Sequence, residues 1–167
     1  NLIRGFKLFL QHNKNFNLIL SGDKKNNYNK IKKLINDLNL AKNVDIVGHI
    51  KLKKLLSLYD NCDAVVYASF SGPENLPPLE ALARGKKLIN SEYPGSKEQL
   101  KNFPIYMDPY SPISIAKAMV KATKTKHPQN FKYLGKYIKS KNSKFYIEKL
   151  LSYLIKWFIF YGIGVVI

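Results

Sequence analysis

The chain has 167 residues, a formal net charge of +17, and is 46% hydrophobic and 13% aromatic. That length gives one domain with room for a core, and that composition argues against a disordered chain. The charge admits nucleic acid, a membrane surface or an anionic ligand as partner, but Arg4 and Arg84 are the only arginines and the lysines fall in no motif. Readers of bases and phosphates favour the bidentate guanidinium, so a basic nucleic-acid-binding domain is the least favoured reading. The single Cys62 excludes an internal disulfide framework and a cysteine-based zinc site. No signal-peptide pattern is seen, and the chain, with Asn rather than Met at residue 1, reads as part of a longer protein.

Leu2, Ile3, Phe6, Phe9 and Leu10 fall at helical spacing, which predicts an amphipathic helix over 2–10. Phe16 to Leu20 reads as a buried strand closed by Ser21-Gly22-Asp23. Tyr28, Ile31, Leu34, Ile35 and Leu38 give a second helix, Val44 to Val47 a strand ending at Gly48, and Leu52, Leu55, Leu56 and Tyr59 a third helix. A strand over 64–67 then runs into a loop with Gly72, Pro73, Asn75, Pro77 and Pro78. A short helix over 79–84, a strand over 87–90 and a Pro94-Gly95 turn follow. Residues 105–108 read as a last short strand, and Ile113 to Val120 as the start of a helix. Beyond it the chain is strongly basic, and 150–167 is almost wholly apolar, interrupted by Lys156.

Short apolar strands without polar alternation, each followed by a helix, predict an α/β fold: a doubly wound parallel sheet with right-handed crossovers. Ligands of such sheets sit at the carboxyl ends of the strands. Here those ends carry Ser21-Gly22, Gly48-His49, the stretch from Ser69 to Leu76, and Asn90 to Gly95. Prolines suit the first turn of a helix, and backbone N–H groups at a helix start favour a phosphate. Glu80 carries two readings: a carboxylate that accepts hydrogen bonds from a ribose diol, or plain complementarity to the helix dipole. His49 is a lone histidine with no carboxylate at motif spacing, a poor general base.

The run Gly-x-x-Asn-Leu-Pro-Pro-Leu-Glu-Ala-Leu-Ala-Arg-Gly-Lys-Lys-Leu-Ile resembles the nucleotide-sugar loop of the retaining glycosyltransferases of family 4. Their pattern is roughly S-x-x-E-G-F-G-x-P-x-x-E-A-x-A-x-G-x-P-V-I, and it aligns without gaps from Ser69 to Ile89. Leu18 to Gly22, Val44 to Gly48, Leu55-x-x-x-Tyr59-x-x-Cys62-Asp63, Pro94-Gly95-x-x-Glu98 and Asp108-Pro109 match further landmarks in order. The resemblance covers about residues 2–123 and implies a Rossmann-like fold, the C-terminal half of a GT-B pair. It divides the chain into a donor-binding domain over 1–125 and a basic, then apolar, helical tail over 126–167.

By resemblance, Glu80 would hold the ribose hydroxyls, the backbone N–H groups around Asn75 and Leu76 the diphosphate, and Ser69 would sit near the pyrophosphate. His49 and Ile50 would border the base, and Gly22 closes the first donor-side strand. The sequence departs from the family at the first glutamate of the E-x7-E pair, which is Gly72, and Glu74 is the carboxylate offered in its place for catalysis. Lys87 stands where the family has proline. The expected chemistry is transfer of a hexose from a nucleoside diphosphate sugar with retention, with no metal or other cofactor, since no Asp-x-Asp or His cluster is present. The implied setting is cell-surface polysaccharide or glycolipid synthesis, with a saccharide or lipid-linked saccharide as acceptor. The acceptor domain lies outside this chain, so the chain alone is expected to be inactive. A non-catalytic nucleotide- or anion-binding module is the alternative. The tail is expected to pack on the missing domain or to touch a membrane surface through 145–167, which implies a cytoplasmic protein peripheral to the inner face.

Overall fold

The computed structural model describes residues 1–22, 27–70, 76–125 and 164–166. Its elements in order are α1 (Leu2–Leu10), β1 (Leu18–Ser21), α2 (Tyr28–Asp37), β2 (Val44–Gly48), α3 (Leu52–Asn61) and β3 (Ala64–Tyr67). Then come α4 (Leu76–Ala83), β4 (Lys87–Ser91), α5 (Ser96–Leu100), β5 (Ile105–Met107), α6 (Pro112–Lys124) and β6 (Gly164–Val166).

The strands form one sheet in the order β2-β1-β6-β3-β4-β5. Pairs β1–β2, β3–β4 and β4–β5 are parallel, as strands joined through helices must be. The chain winds outward from β1 to β2, returns through α3 to β3, and winds outward again to β5. This is the expected doubly wound arrangement, and it reverses direction between β1 and β3.

That central position is filled by β6, antiparallel to both neighbours, with Val166 opposite Ile19 and Val65. The apolar end of the chain was expected to continue a helical tail. At 164–166 it is instead a strand, which β-branched Val165 and Val166 suit. Residues 126–163 and 167 of that tail lie outside the described residues.

Side chains alternate across the sheet with period two. Ala64 and Val66 point to a core built with α1, α2 and α6 around Phe6, Leu18, Ile89 and Ile115. Val65 and Leu88 point to a second core with α3, α4 and α5, around Leu55, Tyr59, Leu82 and Leu100. The sheet is therefore sandwiched between helices, which explains strands without polar alternation. Each fully buried Leu or Ile contributes on the order of 2 kcal/mol of apolar transfer.

Gly5 lets α1 approach α6 closely: a methyl group there would lie 2.6 Å from Ile115 Cγ2 and 3.0 Å from the Pro112 carbonyl oxygen. One helix start and one further helix depart from the sequence-based expectation. Helix α4 starts at Leu76 rather than Leu79, because Pro77 and Pro78, with φ already helical, form its first turn. Helix α5 follows the turn at Gly95, whose φ of 86° places it in the left-handed region that glycine favours.

Candidate functional site

Along the carboxyl edge of the sheet lie those residues picked out from sequence that the structure describes. At the end of β1, the Gly22 N–H donates to the Gly48 carbonyl at the end of β2, 3.0 Å away. A register shift between Leu20 and Ser21 brings Ser21 opposite Gly48. His49 is exposed just beyond, and Ile50 is buried against α3 and α4. Ser69 follows β3 and is hydrogen-bonded to the Tyr67 phenol, which burial pushes above its ordinary pKa. Leu76 opens α4, and Glu80 lies one turn further on. Gly72, Glu74 and Asn75 lie outside the described residues. Thus Gly22, His49, Ile50, Ser69, Leu76 and Glu80 come from three successive strand ends and the helix after the third.

The chemistry of α4 is set by its opening residues. A helix normally presents four unpaired N–H groups at its start. Pro77 and Pro78 carry none, so Leu76 and Leu79 supply the N–H groups of this first turn. An anion held at this helix start would therefore find N–H groups at Leu76 and Leu79 and none at the two prolines. Because the helix begins at Leu76, Glu80 falls outside its first turn, which contains no acidic residue. The dipole reading of Glu80 loses its basis, since that effect fades beyond the first turn.

Instead Glu80 is engaged from α3. The Tyr59 hydroxyl donates to Glu80 Oε2 at 3.0 Å. Tyr59 is 3% exposed, set among Leu55, Val65, Ala81 and Leu82. Burial pushes the Glu80 carboxyl above its ordinary pKa, and the Tyr59 hydrogen bond and then the Arg84 charge pull it part of the way back. The Tyr59 phenol is pushed up by burial first and then by the Glu80 charge, so it remains a donor. One residue along α3, Asp60 is held by Arg84, just past the end of α4, through bonds of 3.0 and 2.6 Å. Lys86 Nζ donates to the Asp60 carbonyl at 2.6 Å, capping the end of α3.

At the end of β4, Asn90 is fully buried, and its Nδ2 donates to the Ser91 carbonyl at 2.8 Å. Its Oδ1 has no hydrogen-bond partner among the described residues. Ser91 Oγ donates to the Tyr67 carbonyl at 3.2 Å, tying the ends of β3 and β4 together. Phe70, just past Ser69, meets Tyr110, just past β5, with ring centroids 4.8 Å apart; both rings are exposed. Sequence reading missed this pair because its members are 40 positions apart in no motif. It also treated Tyr59 only as a helix landmark, although its motif spacing already placed it beside the loop. Among the described residues no three His, Cys, Asp or Glu side chains gather in a group that could hold a metal ion.

Known proteins share both sequence and fold. A stretch of 94 residues is 29% identical to the O-antigen chain mannosyltransferase RfbU of Salmonella typhimurium, covering 56% of this chain. The aligned stretch spans 27% of that protein's length. The fold matches sucrose-phosphate synthase from Thermosynechococcus elongatus with a TM-score of 0.64 at 22% identity, over 73% of this chain and 33% of that one. The likeness to that structure is one of fold, a Rossmann-like α/β sheet. The family described as "Glycosyl transferases group 1" matches residues 1–141. Over that span the chain belongs to glycosyl transferases group 1.

Proposed function

We propose that the chain is the donor-binding domain of a glycosyltransferase that moves a hexose from a nucleoside diphosphate sugar to a saccharide or lipid-linked saccharide, with retention. The setting is cell-surface polysaccharide or glycolipid synthesis, a reading supported by the likeness to an O-antigen mannosyltransferase. One observation carries it: a desolvated carboxylate, Glu80, lies on the helix that follows β3 at the carboxyl edge where the sheet reverses direction.

In this reading the Glu80 carboxylate accepts hydrogen bonds from the ribose hydroxyls. Ser69 and the backbone N–H groups of Asn75 and Leu76 take the diphosphate, and His49 and Ile50 border the base beside Gly22. Donor dipoles fixed around the diphosphate stabilise it as it leaves with the bonding electron pair. Glu74 serves the transferred sugar at the position beside Gly72, and the site works without a metal ion. The lysine-rich approach and apolar run over 145–163 are read as contact with an anionic membrane surface at the cytoplasmic side.

Titration calorimetry with UDP, GDP and single-stranded RNA tests the reading. Binding of one nucleoside diphosphate, weakened about tenfold or more by Glu80→Gln, is expected, the loss matching a hydrogen bond to a charged group. Tight RNA binding with no nucleotide preference would overturn it. Gly72, where the family has its first glutamate, favours one second reading, a non-catalytic nucleotide-binding module. Transfer assays that include an acceptor domain separate the two.

A further inference from the structure

We propose that Tyr59 is a positioning residue that aims the Glu80 carboxylate at the ribose and so sets a preference for ribonucleotides over 2′-deoxyribonucleotides. The inference rests on the donor-site reading and deepens it.

A glutamate side chain has three rotatable bonds, and fixing it costs conformational entropy. Glu80 projects from α4 toward α3, where the Tyr59 hydroxyl donates to its Oε2. The Tyr59 ring cannot swing, being packed in the apolar core between α3, α4 and the sheet. A phenol has one proton to give, and this one goes to Oε2, so the Tyr59 bond orients the carboxylate through that oxygen and leaves Oε1 with no hydrogen-bond partner among the described residues.

The neighbouring pair makes the aim rigid. Asp60 follows Tyr59 on α3, Arg84 lies four residues after Glu80 just past the end of α4, and these two are joined by a two-bond fork. Two parallel links therefore fix the register of the helices at the point where the carboxylate leaves α4. Among the described residues, the charged or titratable groups facing Glu80 are the Tyr59 phenol on α3 and the Arg84 guanidinium just past the end of α4, and Cys62 at the end of α3 acts on Tyr59. Tyr59 and Arg84 both favour the ionised carboxylate, the form that accepts two hydroxyl hydrogen bonds. Removing the phenol hydroxyl removes one of these influences and leaves burial to push Glu80 further toward its neutral form.

The test uses the chain with Tyr59→Phe, Glu80→Gln and no substitution. UDP and GDP are titrated beside their 2′-deoxy forms across pH 5 to 8. The Glu80 carboxyl is followed separately by 13C NMR. The expected result for Tyr59→Phe is a ribonucleotide affinity about five- to tenfold weaker, a smaller loss for the deoxy form, and a Glu80 midpoint at higher pH. An unchanged ribo-to-deoxy ratio together with an unchanged Glu80 midpoint would overturn the positioning role. If the unsubstituted chain binds no nucleoside diphosphate, or Glu80→Gln leaves the ratio unchanged, the donor-site reading fails, and the proposal with it. Should Tyr59→Phe not fold, replacing tyrosine by 3-fluorotyrosine supplies the second measurement. A more acidic phenol donates more strongly and must lower the Glu80 midpoint, and no shift overturns the role.

Discussion

Arg84 grips Asp60 across two helices, with Nε donating to Oδ1 at 3.0 Å and Nη2 to Oδ2 at 2.6 Å. The pair is half exposed, so its worth lies in geometry more than in Coulomb energy. The Arg84 hydrogen bond holds the Asp60 carboxyl below its ordinary value. The sign follows from proton counting. The unfolded chain binds the proton more readily, so this contribution is present above the ordinary pKa of 3.8 and is lost as pH falls through the folded value. Arg84→Ala is therefore expected to lower the urea midpoint at neutral pH, with the difference from the unsubstituted chain vanishing in acid. Arg84→Lys keeps the charge and loses the fork, and should recover only part of the loss.

Lys87 occupies the place of the family's proline, and the structure gives it a role there. Its Nζ donates to the Ala122 carbonyl at 2.9 Å, in the last turn of α6, where a cation is favoured by the exposed carbonyls. Lys87→Met should cost roughly 0.5–1 kcal/mol, a drop in Tm of about 2 °C for a chain of this size. Thermal unfolding followed by circular dichroism measures it.

Gly5 sits where α1 meets α6. An alanine methyl would come within 2.6 Å of Ile115 Cγ2 and 2.7 Å of Ile115 Cβ, closer than packed carbons approach. Alanine gains roughly 0.5–1 kcal/mol in helix propensity over glycine, and overpacking of a full core costs about 1–3 kcal/mol. The steric term wins because Ile115 is completely buried and has nowhere to move. Gly5→Ala is expected to destabilise the fold by about 1–2 kcal/mol in urea titration.

Much of this architecture was legible in the sequence, and particular residues show why. Leu2 to Leu10 read as a helix because Ile3, Phe6 and Phe9 make one apolar face, and those residues are buried together with Gly5. Strand β3 read correctly at 64–67 because its apolar run starts after Asp63 and gives way to the small residues Ala68 and Ser69. The start of α4 did not. Pro77 and Pro78 look like loop residues from sequence, yet they stand in a first helical turn, where a missing N–H costs nothing. Strand β6 was illegible because an isolated apolar run does not say which neighbours will take its backbone hydrogen bonds. The Tyr59–Glu80 contact joins residues 21 apart, a distance no local periodicity encodes.

Cys62 tests the local environment at the end of α3. Burial pushes its thiol up to about 11, and its Sγ donates to the Tyr59 carbonyl at 3.2 Å. The thiolate is the reactive form, so alkylation by iodoacetamide at pH 8 should run about a hundredfold slower than for a free cysteine. In urea the rate should return to the ordinary value. Fast labelling of the folded chain would show that the end of α3 is open.

Glu80 should link stability and ligand binding with opposite signs. Its folded pKa is raised above the ordinary 4.5 by burial. The native state then holds the proton more tightly than the unfolded chain, so the ionised form costs stability. Stability contributed through this group is expected to fall as pH rises from 4.5 through the folded value, whereas a carboxylate that accepts ribose hydroxyls gains strength over the same window. Urea midpoints and UDP or GDP affinities measured on the same samples should therefore move in opposite directions with pH. Glu80→Gln removes the titration and should flatten both trends while weakening binding throughout. If affinity in the unsubstituted chain stays level across that window, the carboxylate is not the group that holds the ribose, because the buried Tyr59 phenol keeps its proton there.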